Sequence, residues 1–304
     1  MALSRKCAVI LLTLALIFTA CIQEQTTPKT EVEGGVRALE ISLKPVSRDI
    51  IMCQQTDVLT TLHNAGTANI ERGEYNIITE PQVLKPITPQ KGEISLEGRT
   101  KYSPGETLKM TISLKNNGLA EQLQNYQTPL IFQACYPYQT KANIPVCIDP
   151  DIADTIPNKP CRAEPIDLRG GQGAPVAITQ VDQVMIPTNE GIRPTFLIHV
   201  QNQGGGRIVD LAALEFACGS ARASTRLKPL VKINANLAGK ELECAPENAE
   251  IGPDTTIISC TSKTTYPKGA GTISSILTAN IEYGYINTKT LTFNIKRLPG
   301  QTSC

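Results

Sequence analysis

Residues 136–148 read YPYQTKANIPVCI, and residues 283–295 read YGYINTKTLTFNI. Both segments begin with Tyr-x-Tyr and continue with apolar and polar residues in alternation, which is typical of a half-buried β-strand. A motif found twice, 147 positions apart, indicates a duplicated domain. We expect Tyr-x-Tyr to lie in a hairpin between the penultimate and last strands of each copy, with Tyr136 and Tyr283 in the core.

A second landmark precedes the first in each copy. Residues 58–66 (VLTTLHNAG) and 196–204 (FLIHVQNQG) share alternating inward residues followed by Asn-x-Gly, 138 positions apart. Because the two offsets differ by nine residues, the sequence predicts two copies with one modest insertion. Residues 110–118 (MTISLKNNG) repeat the strand pattern within the first copy, so the paired Tyr-x-Tyr is what favours duplication.

The predicted fold is all-β, with two tandem immunoglobulin-like antiparallel β-sandwiches. A length of 304 residues suits two domains, and 22 Gly, 21 Pro and only 19% charged residues suit many short strands and turns. The predicted segments are a signal peptide at 1–20, a lipidated Cys and flexible tether at 21–36, a first sandwich at 37–168, a Gly-rich linker at 169–175, a second sandwich at 176–298 and a tail at 299–304.

Five further segments are YSPGETL at 102–108, FQACYPYQT at 132–140, VCID at 146–149, GGQGAPV at 170–176 and HVQNQGGG at 199–206. They resemble segments of archaeal surface lipoproteins with tandem immunoglobulin-like domains of the CARDB type. The resemblance covers most of the mature chain. It implies an envelope protein of a family with no established activity, because these motifs specify a fold and no chemistry.

The N-terminal segment predicts export. Arg5 and Lys6 precede an apolar run that ends at Ala20 and is too short for the roughly 20 residues of a membrane-spanning helix. Thr19-Ala20-Cys21 resembles the lipobox of prokaryotic lipoproteins, although Phe18 replaces the usual Leu, and this predicts lipidation at Cys21. An uncleaved membrane anchor and simple secretion are the alternatives. With a polar tether after Cys21, we expect the protein on the outer face of the cell membrane.

Eight cysteines remain once Cys7 leaves with the signal and Cys21 takes lipid. Four precede residue 169 and four follow it, so we expect each domain to close two disulfides in an oxidising compartment. Zinc is not favoured, because the chain has no C-x-x-C. Cys244 with Cys260 is the favoured pair, together with one bridge inside 135–161. The candidates are Cys53, Cys135, Cys147, Cys161, Cys218, Cys244, Cys260 and Cys304.

Residues suited to catalysis are scarce. His63 and His199 are the only histidines, and each lies on an alternating strand at an outward position. The Gly-rich stretches at 170–173 and 204–206 are not followed by a helix pattern, so no phosphate loop is expected. We therefore expect no enzyme.

Two charged segments are candidate ligand sites. Asp149, Asp151 and Asp154 form a weak candidate for calcium, with a solvated loop as the alternative. Arg222, Arg226, Lys228 and Lys232 form a basic run that suits anionic lipid or an acidic polymer, or else a wet strand face. A formal net charge of +1 excludes a strongly basic nucleic-acid binder.

The predicted function is non-enzymatic binding or adhesion at the cell surface. The chain would be held to the membrane by its lipid, and its partner would be a protein or polysaccharide of the cell envelope or of another cell. A structural spacer or assembly component of the envelope is the alternative.

Overall fold

The structure is a computed structural model that describes residues 34–219, 227–302 and 304. Strands account for most of this part of the chain, which confirms the all-β prediction. The two short helical segments are a 3-10 turn at Leu211–Ala213 and α1 at Leu214–Ala217. The strands are β1 (Leu39–Pro45), β2 (Asp49–Ile51), β3 (Gln55–Asn64), β4 (Ile70–Ile78), β5 (Leu84–Pro86), β6 (Lys91–Leu96), β7 (Thr107–Asn116), β8 (Asn125–Ile148), β9 (Ile166–Asp167), β10 (Val176–Pro187), β11 (Gly191–Asn202), β12 (Arg207–Val209), β13 (Leu230–Leu237), β14 (Lys240–Ala245), β15 (Asn248–Glu250), β16 (Thr256–Ser262), β17 (Tyr266–Pro267) and β18 (Ile273–Lys296).

The strands form one small and one large sheet. The small sheet has the order β1-β3-β7-β5, with antiparallel neighbours throughout. The large sheet has the order β6-β4-β8-β18-β13-β14-β16-β11-β10-β9, and β2, β12, β15 and β17 pair with it off this path. The alternation of apolar and polar residues along each strand buries one face, as in a β-sandwich.

The large sheet is built around a ribbon of two strands, β8 and β18. Each strand has 24 residues, and they pair antiparallel over their whole length without a register shift. At about 3.4 Å per residue the ribbon is roughly 80 Å long. Its inner face carries the buried residues, from Leu130 to Val146 on β8 and from Leu277 to Ile295 on β18.

The ribbon has the pairing expected of a two-fold relation between the repeats. Tyr136 pairs with Tyr285 and Tyr138 pairs with Tyr283. Tyr283 is the repeat counterpart of Tyr136, and Tyr285 is that of Tyr138, so the repeat relation exchanges the two pairs. This reciprocity is characteristic of an isologous contact between two equivalent units. Pro137 pairs with Gly284 at the centre. The predicted hairpin is therefore wrong, because both Tyr-x-Tyr motifs lie in the middle of long strands.

Each repeat contributes to the sandwich of the other. The C-terminal part of β18 pairs in parallel with β2, so a strand that begins in the second repeat ends beside the first. β1 contacts β18 and β10 contacts β8, as the two-fold relation requires. Residues Glu33–Cys304 form one compact unit with one large core cluster. The ranges 37–168 and 176–298 stay a prediction, and the large core cluster contains residues of both repeats.

The segment predicted as a linker, 169–175, is packed against the first repeat. The N–H of Gly173 donates to Gly35 (2.8 Å), and the C=O of Gly173 accepts from the Thr67 N–H (2.8 Å). Ala174 is fully buried. Because of this burial and these hydrogen bonds, the segment is held against the first repeat and is not a free hinge.

The four tyrosines of the ribbon form a closed cluster at its centre. Ring centroids of neighbouring tyrosines lie 5.6–6.3 Å apart around the set Tyr136, Tyr138, Tyr283 and Tyr285. The hydroxyl of Tyr136 accepts from the Leu39 N–H, and that of Tyr283 accepts from the Val176 N–H. Each hydroxyl thus holds the first strand of one repeat, and the predicted core role of Tyr136 and Tyr283 is confirmed.

The two landmarks of the sequence are in contact. The Tyr138 hydroxyl donates to the Asn64 side chain (3.3 Å), and the Tyr285 hydroxyl donates to the Asn202 side chain (3.2 Å). A Cβ at Gly66 would lie 2.0 Å from the Tyr138 hydroxyl oxygen, so this position of Asn-x-Gly requires glycine. The motif is therefore a socket for the second tyrosine of each Tyr-x-Tyr.

Four disulfides link the described cysteines. Cys244–Cys260 and Cys147–Cys161 close short loops, as predicted. The expectation that each half closes its own two disulfides is wrong, because Cys53–Cys304 and Cys135–Cys218 join the first repeat to the second. The exchange of strand halves across the ribbon brings these distant positions together.

Candidate functional site

The two histidines lie on the predicted strands and bind neighbours across them. Nδ1 of His63 is 3.0 Å from the Thr107 hydroxyl. Nε2 of His199 is 2.8 Å from Asp182, and the pKa of that carboxyl is lowered by hydrogen bonds from Gln180 and from His199. Neither ring makes a second hydrogen bond within the described residues.

The three aspartates proposed for calcium surround a lysine. The Lys159 ammonium lies 2.7 Å from Asp149, 3.0 Å from Asp151 and 2.9 Å from Asp154. Its side chain is only 1% exposed. The ammonium thus occupies the position that the calcium hypothesis gave to a metal ion.

The protonation of this cluster follows from its contacts. Burial alone would lower the pKa of Lys159, but its hydrogen bonds to the three carboxylates outweigh burial and raise that pKa. The pKa of Asp151 is lowered, first by the Ile156 N–H and also by Lys159. Lys159 and Asp151 are therefore both charged at neutral pH, and the contacts of Lys159 with the three carboxylates close the loop after β8.

The predicted basic run and lipid anchor are only partly described. Lys228 and Lys232 are exposed and pair with Glu250 (3.5 Å) and Glu247 (3.6 Å). Arg222, Arg226 and Cys21 lie outside the described residues, as do the signal segment 1–20 and most of the tether. Within the described ranges, no helix has the length and apolar character needed to cross a membrane.

The four disulfides place the folded protein in an oxidising, extracytoplasmic compartment. Disulfides are rare in cytosolic proteins of mesophiles, because the reducing cytosol keeps thiols reduced.

A groove opens where the two repeats differ. In the second repeat β12 pairs with β18 from Arg207–Ile286 to Val209–Gly284. At the equivalent place in the first repeat the pairing of β4 with β8 begins only at Glu74–Cys135, and β4 is irregular between Ile70 and Gly73. The edge of β8 next to Pro137 is therefore left without a partner strand.

The difference between Gly284 and Pro137 explains the gap. A Cβ at Gly284 would lie 2.8 Å from the Val209 side chain, so β12 approaches as closely as only glycine permits. Pro137, the counterpart of Gly284, has a ring and no N–H, so a strand cannot approach or pair there in the same way.

The second repeat gains a chain segment at the same point. Lys232 pairs with Glu282 in the second repeat at the place where Glu74 pairs with Cys135 in the first. The numbering offset between equivalent residues has therefore grown from 138 to 158 at Lys232, and it falls to 147 by Tyr283. The predicted single insertion is thus a gain of 20 residues followed by a loss of 11. The added segment includes the 3-10 turn and α1, and Cys135–Cys218 fastens it to the outer face of the ribbon.

Two adjoining cavities of about 520 and 460 Å³ make up the groove. Glu71, Arg72, Pro137 and Leu211 line both. One end extends along β8 to Lys141, and the other reaches β6 and α1. The groove therefore lies on the outer face of the ribbon, between the bulged start of β4 and the added segment.

The groove carries an excess of negative charge. Two cations, Arg72 and Lys141, line it, against the carboxylates of Glu71, Glu74, Glu93, Glu215 and Glu282. Among the described residues none of these seven charges forms a salt bridge. An unpaired acidic surface of this kind attracts a cationic partner.

The edge of β8 offers backbone groups to the groove. The N–H of Cys147 donates to the Gln183 side chain, which lies away from β18. Because this direction alternates along an antiparallel strand, Gln139, Lys141 and Asn143 also present their N–H and C=O groups away from β18. On that side of β8 no strand of the described chain pairs with these three residues, which pair only with β18. They form a short edge with free hydrogen-bonding capacity.

The sequence interpretation did not identify this groove. Its acidic residues are scattered over 200 positions and follow no motif. Two features of the sequence do point to the groove. Pro137 stands where the matching Tyr-x-Tyr motif has Gly284, and the second repeat contains extra chain length.

Comparisons with known proteins do not identify a family. No protein-family model matches the chain, and no curated protein sequence matches it. Among solved structures, the collagen adhesin CNA of S. aureus aligns over 87% of this chain and 93% of its own, with 13% identity and a TM-score of 0.11. That level of similarity does not establish a shared fold. The resemblance to archaeal CARDB-type lipoproteins stays a prediction.

Proposed function

We propose that this protein is a lipid-anchored, extracytoplasmic, non-enzymatic binding protein whose partner docks in the acidic groove. The observation that carries the proposal is the unpaired edge of β8 along the groove floor. An extended segment of a partner adds to such an edge through main-chain hydrogen bonds, and the lining carboxylates select a basic segment.

The boundaries of the edge set the length of the bound segment. Pro137 and Pro145 lack an N–H, so regular pairing is confined to the residues between them. Gln139, Lys141 and Asn143 supply three donors there. A segment of about five residues matches this span, at roughly 3.4 Å per residue.

The groove is held in shape before a partner arrives. Cys135–Cys218 fastens the wall that contains Leu211 and Leu214 to β8. A preformed site avoids part of the ordering cost of binding. Lipid at Cys21 and the tether that follows would present the groove outside the cell, where a protein of the envelope or of another cell supplies the basic segment.

Site-specific photo-cross-linking in intact cells tests the proposal. A photoreactive residue at Gln139 should capture one partner, whereas one at the exposed Lys115 of β7, on the small sheet, should not. Glu71→Lys with Glu282→Lys should abolish the capture at position 139, and Glu71→Gln should weaken it. Equal capture at positions 139 and 115, or capture that survives the charge reversal, would refute the groove as the docking site.

A rigid spacer of the cell envelope is the second candidate, and the ribbon favours it. A pair of strands roughly 80 Å long that is shared by both sandwiches would hold a fixed distance. A spacer makes lateral contacts along exposed sheet edges, so a photoreactive residue at Lys91 on the edge strand β6 would capture neighbouring copies. Capture of other copies from position 91, with none from position 139, would favour the spacer.

A further inference from the structure

A third cavity on the outer face of the ribbon contains an arginine without a partner. Arg207 begins β12 and lines a cavity of about 290 Å³ together with Gln133, Gly205, Gly206, Ile286 and Thr288. None of these residues lines the acidic groove. The cavity is thus a separate feature.

The Arg207 guanidinium is partly buried, and its side chain makes no hydrogen bond or salt bridge with the residues that the structure describes. Its Nη2 is inaccessible to solvent and unsatisfied. Burial lowers its pKa, and no carboxylate opposes that effect. By contrast, Arg297 donates to five different backbone carbonyls. A partly desolvated cation without a partner is costly, so binding of a complementary anion to Arg207 would offset that cost.

The rest of the cavity consists of neutral hydrogen-bonding groups. Gln133 is 6% exposed, and its side-chain oxygen accepts from the Gly219 N–H (2.7 Å), which leaves its NH2 group as a donor for a ligand. Thr288 contributes a hydroxyl, and Gly205 has an N–H without a partner in the described chain. No acidic residue lines the cavity.

The duplicated fold does not require this arginine. The counterpart of Arg207 at the offset of 138 is Asn69, whose side-chain oxygen accepts from the Gly98 N–H (2.9 Å). The first repeat thus fills the position with a neutral residue in a structural hydrogen bond. Arg207 has no such bond, which separates it from a structural role.

We propose that this cavity is an oxyanion site in which Arg207 binds a carboxylate, sulfate or phosphate group, assisted by Gln133, Thr288 and the Gly205 N–H. The planar guanidinium fork binds two oxygens of such a group at once. The proposal is independent of the function assigned to the acidic groove, because the two sites share no residue.

Thermal unfolding of the mature, oxidised protein tests the site. Acetate, sulfate and phosphate are each titrated against chloride at constant ionic strength. The Tm of the wild type should rise with the concentration of the preferred anion, because binding to the native state alone stabilises it. The anion that acts at the lowest concentration identifies the chemical class.

Variants locate the effect. Arg207→Gln loses no hydrogen bond, so it should fold with an unchanged or higher Tm in chloride, and its affinity for the anion should fall about tenfold or more. Arg207→Lys should retain weaker binding, and Arg72→Gln in the groove should bind as the wild type does. An anion response that persists in Arg207→Gln, or that disappears equally in Arg72→Gln, would overturn the proposal, as would a wild type whose Tm is insensitive to all three anions.

Discussion

Replacing Phe293 by Ala distinguishes a shared core from two independent domains. Phe293 is fully buried on β18, next to Asn294, which pairs with Asp49 of β2. By sequence it belongs to the second repeat, but it pairs with Thr128 of β8 and lies on the part of β18 that runs beside β2 of the first repeat. Loss of a buried Phe side chain costs about 3–5 kcal/mol of unfolding free energy. A value of about 4 kcal/mol shifts the unfolding equilibrium by roughly a thousandfold.

Hydrogen exchange of the oxidised protein, followed by mass spectrometry, provides the assay. In Phe293→Ala, peptides from β3 and β7 of the first sandwich should lose protection by an amount close to the full destabilisation. Ile144→Ala is the matched variant, since Ile144 is fully buried on β8 and pairs with Leu277 in the second sandwich. It should expose β11 to exchange at a cost of about 2–5 kcal/mol.

The pattern of protection loss decides the outcome. If Phe293→Ala affects only peptides within 176–298, and Ile144→Ala affects only those within 37–168, the halves fold separately. That result would refute the exchange of strand halves across the ribbon.

Three further perturbations test the tyrosine cluster and the loop after β8. Tyr285→Phe removes the acceptor of the Gly206 N–H (2.9 Å) and should cost about 1–3 kcal/mol in urea unfolding, while Tyr102→Phe, at a side chain 92% exposed, should cost nothing measurable. Burial raises the pKa of Tyr285 to about 12, so the stabilisation that its neutral hydroxyl gives the fold is complete below pH 10 and is lost as pH rises toward 12. Absorbance at 295 nm should show that the core tyrosines ionise together with unfolding. Ionisation in the folded state would contradict their burial. The lowered pKa of Asp151 means that the charged carboxylate stabilises the fold at neutral pH and that this stabilisation is lost as pH falls below 3.8. Lys159→Met should therefore lower the Tm at pH 7 and make the Tm fall less between pH 7 and acidic pH. A variant whose Tm depends on pH as the wild type does would show that the lysine contact is weak.

The local structure could be predicted from the sequence, but the connection between the halves could not. Alternation fixed the strands, and two repeated motifs fixed the duplication. The residues at the centres of the two Tyr-x-Tyr motifs, Pro137 and Gly284, are of types that favour turns, in keeping with the predicted hairpin. In the structure they pair with each other in mid-strand, and the missing N–H of Pro137 faces the edge away from β18. That edge is where a sheet tolerates proline.

The candidate sites depended on contacts that no local pattern contains. The sequence predicted a cation beside Asp149, Asp151 and Asp154, and that cation is the Lys159 ammonium. Lys159 follows the aspartates in an irregular loop, where sequence spacing does not predict which side chains meet. Arg207 follows a Gly-rich stretch that was set aside because no helix follows it. Only the three-dimensional structure shows that Arg207 forms no salt bridge with a carboxylate of the described residues.

Differential scanning calorimetry of the mature, oxidised protein tests most directly that the two repeats form one folding unit. The ribbon, the shared core and the two disulfides between repeats predict a single transition whose calorimetric and van't Hoff enthalpies agree. Two separate transitions, or a calorimetric enthalpy about twice the van't Hoff value, would contradict the interlocked fold.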